Sequence, residues 1–128
     1  MCGITGIFSG KQNVKSEWII RMNNALKHRG PDDEGFLAIN TKAKETYTLA
    51  GPDSKVNNSR IEVFGQDVNL FLGHRRLSIL DLSSLGHQPM SNNDETLWII
   101  HNGEIYNYIE LREELKSLGF DFQTNTDT

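Results

Sequence analysis

Cys2 is the only cysteine among 128 residues, and it stands directly after Met1. Loss of Met1 would put a thiol and a free α-amine on the same residue. An α-amine titrates at about 7.7–8.0 and a thiol at about 8.5. Near neutral pH, much of the amine is therefore free base and can accept the proton of its own thiol. The thiolate is the nucleophilic form, and an adjacent base activates it. The plain alternative is an incidental cysteine beside a start codon. Cleaving an amide also requires donors for the developing oxyanion. Asn102-Gly103 could aim a side-chain amide and a backbone N–H at one oxygen, although the same dipeptide is a common hairpin turn. Arg76 follows His74 and Arg75. It could clamp a carboxylate bidentately or be a solvated edge arginine.

Other chemistries find less support. His28, His74, His87 and His101 have no spacing that suits zinc, so no metal site is expected. No glycine-rich loop leads into a helix that could cradle a phosphate. A thiol redox role lacks a resolving cysteine. The net charge of −4 and the absence of a basic run argue against nucleic acid. No apolar stretch approaches the roughly 20 residues of a membrane span. The N-terminus has no basic-then-apolar pattern of a signal peptide. With a single cysteine, the expectation is a reducing, cytoplasmic setting.

The elements that must position these residues follow from periodicity. Residues 3–8 read as a strand leading away from Cys2. Ser16 is the expected cap of a helix whose core stripe is Trp18, Ile19, Met22, Ala25 and Leu26. Lys27, His28 and Arg29 load its last turn, and Gly30-Pro31 stops it. Residues 28–35 read as a polar turn at a surface or site rim. Strands are expected at 36–39 and 46–49, with a short one at 61–64. Another runs through 68–73 and resumes at 77–80 after a polar break at 74–76. Residues 81–95 form a long loop, and 96–100 the clearest buried strand. Asn107 is placed to cap a helix through Leu118, with Tyr108, Leu111, Leu115 and Leu118 on one face, and another strand starts at 120–123. The pattern predicts an α+β domain with helices on the outer faces of antiparallel sheet.

Six ordered motifs then add up to a resemblance. They are Met1-Cys2-Gly3-Ile4, HRGPDDEG (28–35), GHRRLSILDLS (73–83), GHQPM (86–90), NGEIYN (102–107) and TDT (126–128). Together the motifs closely resemble the N-terminal glutaminase domain of class II glutamine amidotransferases. The wording is most similar to the glutamine-hydrolysing asparagine synthetase branch. The resemblance implies an N-terminal-nucleophile hydrolase fold, an αββα sandwich of antiparallel sheets, here in truncated form. It implies that residues 1–128 are the N-terminal part of the domain, with further strands and an ATP- and magnesium-binding synthetase domain beyond. This domain itself is expected to need no cofactor. Cys2 matches the nucleophile and its α-amine the base, while Asn102 and Gly103 match the oxyanion hole. Arg76 matches the residue that binds the α-carboxylate of glutamine, and Glu104 and Asp127 the acidic residues near its α-ammonium group. Backbone at 78–80 is a further candidate for substrate contact. The implied partners are glutamine and an ammonia-accepting synthetase domain in cis, and a homodimer could cover open strand edges. The competing expectation is a non-catalytic fragment or interaction module of the same fold, inactive because Met1 is retained or the domain is incomplete.

Overall fold

The computed structural model describes residues 1–128. Its centre is a five-stranded sheet in the order β1-β5-β2-β3-β4. The strands are β1 (Gly3–Phe8), β2 (Asp33–Asn40), β3 (Glu45–Ala50), β4 (Ser59–Arg60) and β5 (Leu70–Arg76). All pairings are antiparallel except the short β3–β4 contact, which is parallel. Strand β5 lies between β1 and β2, with Gly3 opposite Arg75 and Asp33 opposite Arg76. The first residues of the chain are thereby fixed beside the end of β5.

Alternation along β5 sends Phe71, Gly73 and Arg75 to one face and Leu72, His74 and Arg76 to the other. Helix α1 (Ser16–Ala25) covers the first face. There Ile19 joins Val14, Phe36, Ala38, Leu49, Ile61, Val68 and Phe71 in the apolar core. Phe64 stacks edge-on against Tyr47 and Phe71, extending that core towards β3. The second face carries the segment 84–103. This includes a two-stranded ribbon of β6 (Met90–Ser91) and β7 (Trp98–Ile99). A second helix, α2 (Tyr108–Ser117), follows. The molecule is thus α+β with mostly antiparallel sheet.

Several expectations need correction. The motif 28–35 is only partly a turn, because Asp33, Glu34 and Gly35 open β2 and are buried. The supposed break at 74–76 is continuous strand β5, whereas 77–80 is not strand. Polar side chains fit there because each finds a hydrogen-bond partner from another segment, which composition alone does not reveal. Residues 61–63 form a 3-10 turn after a two-residue β4. Lys15, not Ser16, occupies the cap position of α1, with no side-chain cap bond. Ile19 and Asn23 are the buried residues of α1, while Trp18 and Met22 remain 43% and 39% exposed. The helix docks through a stripe one residue round from the one its apolarity suggested. The run 96–100 pairs only at Trp98–Ile99, and Leu97 is 70% exposed. Helix α2 contains no buried residue, and its Asn107 makes no side-chain cap bond. Residues 120–123 form no strand.

Candidate active site

Cys2 enters β1 alongside the C-terminal end of β5. The Leu77 N–H donates to Cys2 Sγ at 3.3 Å, and the thiol donates back to the Leu77 carbonyl at 3.8 Å. From the turn after α1, Arg29 Nε donates to the Cys2 carbonyl at 3.1 Å. The sulfur is therefore held by backbone on one side, and its residue by an arginine on the other. Beyond it opens a cleft of about 520 Å³. Cys2, Arg76, Asn102, Gly103, Glu104 and Asp127 all line this cleft. Met1 stands at its mouth, 79% exposed.

Arg76 is not the solvated edge arginine that composition left open. It is 5% exposed at the end of β5. Its Nη1 donates to the Ser83 carbonyl at 2.8 Å, and Nη2 donates to the Asp81 carbonyl. Arg76 also lines the cleft. Gly86 lies so close to this guanidinium that a Cβ there would collide with it. Hydrogen bonds hold Asp81 below the usual carboxylate value. Its hydrogen bonds from the Ser83 hydroxyl and N–H lead, followed by the Asn125 N–H.

Asn102 and Gly103 are exposed on the strand-to-helix connection between β7 and α2. Their neighbour His101 is pinned twice. Its N–H donates to Gln88 Oε1 at 2.6 Å, and its carbonyl accepts from His74 Nε2 at 3.1 Å. Burial, the largest influence, pushes His74 down to about 4, opposed by the hydrogen bond to His101. His74 is thus a neutral imidazole carrying its proton on Nε2. Beside it, His87 Nδ1 donates to Asp33 at 2.8 Å. Burial, the largest influence, raises the pKa of Asp33, but His87 together with the Lys55 and Glu34 N–H groups outweighs it, leaving it lowered. Asp127 Oδ2 accepts from the Ile105 N–H at 2.9 Å, so one wall of the cleft is closed by the last residues of the chain.

All six residues singled out from the sequence therefore meet in one cleft. Leu77, Arg29, Gln88, His74, Asp81 and Ser83, which hold them in place, were not singled out as functional. All six lie inside the quoted motifs, which was the available signal. The contribution of Leu77 is a backbone N–H, which has no side-chain signature. No group of three or more His, Cys, Asp or Glu side chains could hold a metal ion. No helix is long and apolar enough to cross a membrane.

An α+β domain with its single cysteine seated in a cleft is one class of protein. Comparison with known proteins makes it more specific. The family described as a glutamine amidotransferase domain matches residues 1–55 and 41–128, and this chain belongs to it. Asparagine synthetase [glutamine-hydrolyzing] 1 of Bacillus subtilis is 39% identical over 132 residues, covering 100% of this chain and 16% of the relative. The putative asparagine synthetase [glutamine-hydrolyzing] 2 of Methanocaldococcus jannaschii is 41% identical, covering 100% of this chain and 22% of its own length. A glutamine–fructose-6-phosphate aminotransferase [isomerizing] of Clostridium acetobutylicum is 35% identical, with the same 100% and 22% coverage. The chain thus spans about a fifth of the length of the curated relatives it matches.

Proposed function

We propose that this glutamine amidotransferase domain hydrolyses glutamine to glutamate and ammonia through a thioester on Cys2. The ammonia passes to an amide-forming domain of asparagine synthetase type in cis. The observation that carries the reading is the seating of Cys2 Sγ against the Leu77 N–H, in a cleft also lined by Arg76, Asn102, Gly103 and Asp127. Opposite charges suit the two ends of a zwitterionic substrate, with its amide between them. The asparagine synthetases of Bacillus subtilis and Methanocaldococcus jannaschii named above, at 39% and 41% identity, exceed the sugar-phosphate aminotransferase at 35%, which supports the choice of acceptor.

Once Met1 has been removed, the freed α-amine takes the thiol proton. The Cys2 thiolate attacks the side-chain amide carbon of glutamine. The Asn102 side-chain amide and the Gly103 N–H hold the oxyanion. The carbon–nitrogen bond breaks, and ammonia leaves with the proton returned by the α-ammonium group. Water, activated by the same amine, attacks the γ-glutamyl thioester and releases glutamate and the free thiol. Arg76 binds the substrate carboxylate, while Asp127 and Glu104 face its ammonium group.

With Met1 attached, the nitrogen of Cys2 is an amide and cannot serve as base. That form is an inactive module of the same fold. Intact mass and glutamate release distinguish the two. Loss of the Met1 mass together with glutamate release, abolished by Cys2→Ala, is the expected result. A chain that has lost Met1 and releases no glutamate overturns the reading.

A further inference from the structure

We infer that Arg112 is a positioning residue for substrate, gripping the backbone of 124–126 so that the Asp127 carboxylate stands at a fixed distance from Arg76. The inference rests on the glutaminase reading above and extends it to selection for an α-amino acid. Arg112 Nη1 donates to the Thr124 carbonyl at 2.8 Å and to Asn125 Oδ1 at 3.4 Å. Its Nη2 donates to the Thr126 carbonyl at 2.6 Å. The guanidinium also lies 5.0 Å from the centre of the Phe122 ring and 5.8 Å from that of Tyr108. One planar, rigid group thus fixes the carbonyls on both sides of Asn125.

The grip is connected to both substrate-facing charges. On one side, Asp127 follows Thr126 directly, and its Oδ2 is already taken by the Ile105 N–H. Its other oxygen is aimed by whatever holds the backbone. On the other side, the Asn125 N–H donates to Asp81 Oδ2 at 3.2 Å. The carbonyl of Asp81 in turn accepts from Arg76. These contacts reach the loop beside the carboxylate clamp, but Arg76 itself is held by the Asp81 and Ser83 carbonyls, so losing the Arg112 grip should loosen Asp127 and leave the clamp in place. Arg112 itself does not line the cleft, so it acts only through these neighbours.

A positioning role and a general structural role differ in one measurable way. Glutaramate is glutamine without its α-amine. It keeps the carboxylate for Arg76 and the reactive amide, but has nothing for Asp127 to bind. In Arg112→Ala, KM for glutamine should rise roughly tenfold, the size of losing one well-placed charged contact. The kcat should stay within about twofold, and kcat/KM for glutaramate should be unchanged. Arg112→Lys should recover part of the loss, because an ammonium can reach one carbonyl but cannot form the fork. If Arg112→Ala does not fold, Arg112→Lys carries the test, with a smaller rise for glutamine alone. Equal falls for both substrates, or no change for glutamine, overturn the positioning role while leaving the glutaminase reading intact. A wild-type protein without Met1 that hydrolyses neither substrate overturns both.

Discussion

The residues of the cleft divide by what they can do to a reaction. Cys2 is held by backbone and by Arg29, so substitutions elsewhere in the cleft should leave the nucleophile in place. Asn102→Ala removes one donor to a developing oxyanion. Such losses typically cost about 10²–10³ in rate. The expected outcome in steady-state kinetics is a fall in kcat of that order, with KM for glutamine little changed. Unchanged turnover would remove Asn102 from the proposed oxyanion hole. Arg76→Ala should have the opposite signature, a raised KM with a smaller effect on kcat. Arg76 also ties down Asp81 and Ser83, so thermal denaturation should accompany the kinetics. A KM shift with a preserved melting temperature would assign the effect to substrate rather than to the loop.

At the scale of elements, the connection leading to Asn102 depends on β5 through His74. This histidine is neutral in the fold because burial pushes it down to about 4. In the unfolded chain it titrates near its ordinary value of about 6.5. Between these two values the unfolded chain binds a proton that the folded chain refuses. Stability is therefore fully present above about pH 6.5 and is lost as the pH falls towards 4, by up to about 1.4 kcal/mol per pH unit. His74→Gln keeps a donor for the His101 carbonyl and removes the titration. Urea denaturation at pH 7 and pH 5 should show a smaller pH dependence in this variant than in the wild type. An identical dependence would mean that other groups carry it. The lowered Asp33 acts in the same direction, but at lower pH. Its contribution is present above the ordinary carboxylate value and disappears as its own folded-state value is approached.

At the scale of the whole molecule, a buried charge network joins sheet, helix and loop. Arg75 is fully buried on β5. Its Nη1 lies 3.3 Å from Glu34 on β2 and 2.8 Å from Asp53, while Nε donates to the Asn23 carbonyl of α1 at 3.3 Å. Glu34 also accepts from Asn23 Nδ2 at 3.4 Å and from the Asp53 N–H at 2.9 Å. Arg75→Ala would leave Glu34 buried without its cation. Breaking a buried pair from one side typically costs about 3–5 kcal/mol, a large share of a domain's total stability. The melting temperature should fall sharply, and the protein could fail to accumulate in folded form. A substitution at Lys116, whose pair with Glu113 is exposed, should change stability by less than about 1 kcal/mol. Similar losses from both substitutions would contradict the distinction between buried and exposed pairs.

Local pattern determined much of this. The strand after Cys2, the first helix, the β2–β3 hairpin and the second helix were all legible, because period and turn residues act over a few neighbours. The candidate chemistry of Cys2, Asn102, Gly103, Arg76, Glu104 and Asp127 was legible as residue types within ordered motifs. Only the tertiary structure decided which polar residues are interior. His74, Arg75 and Arg76 look like an interruption of a strand, yet they are the buried end of its central member. A polar side chain becomes acceptable inside when its partners arrive from distant segments, such as Asp53 for Arg75 and the Ser83 carbonyl for Arg76. The same limit worked in reverse for Trp18, Met22 and Leu97, whose apolarity suggested a core that no element packs over. The cleft is likewise a product of packing. Cys2 and Asp127, 125 positions apart, come to line one cavity because β1 pairs with β5 and Arg112 draws residues 124–126 onto α2.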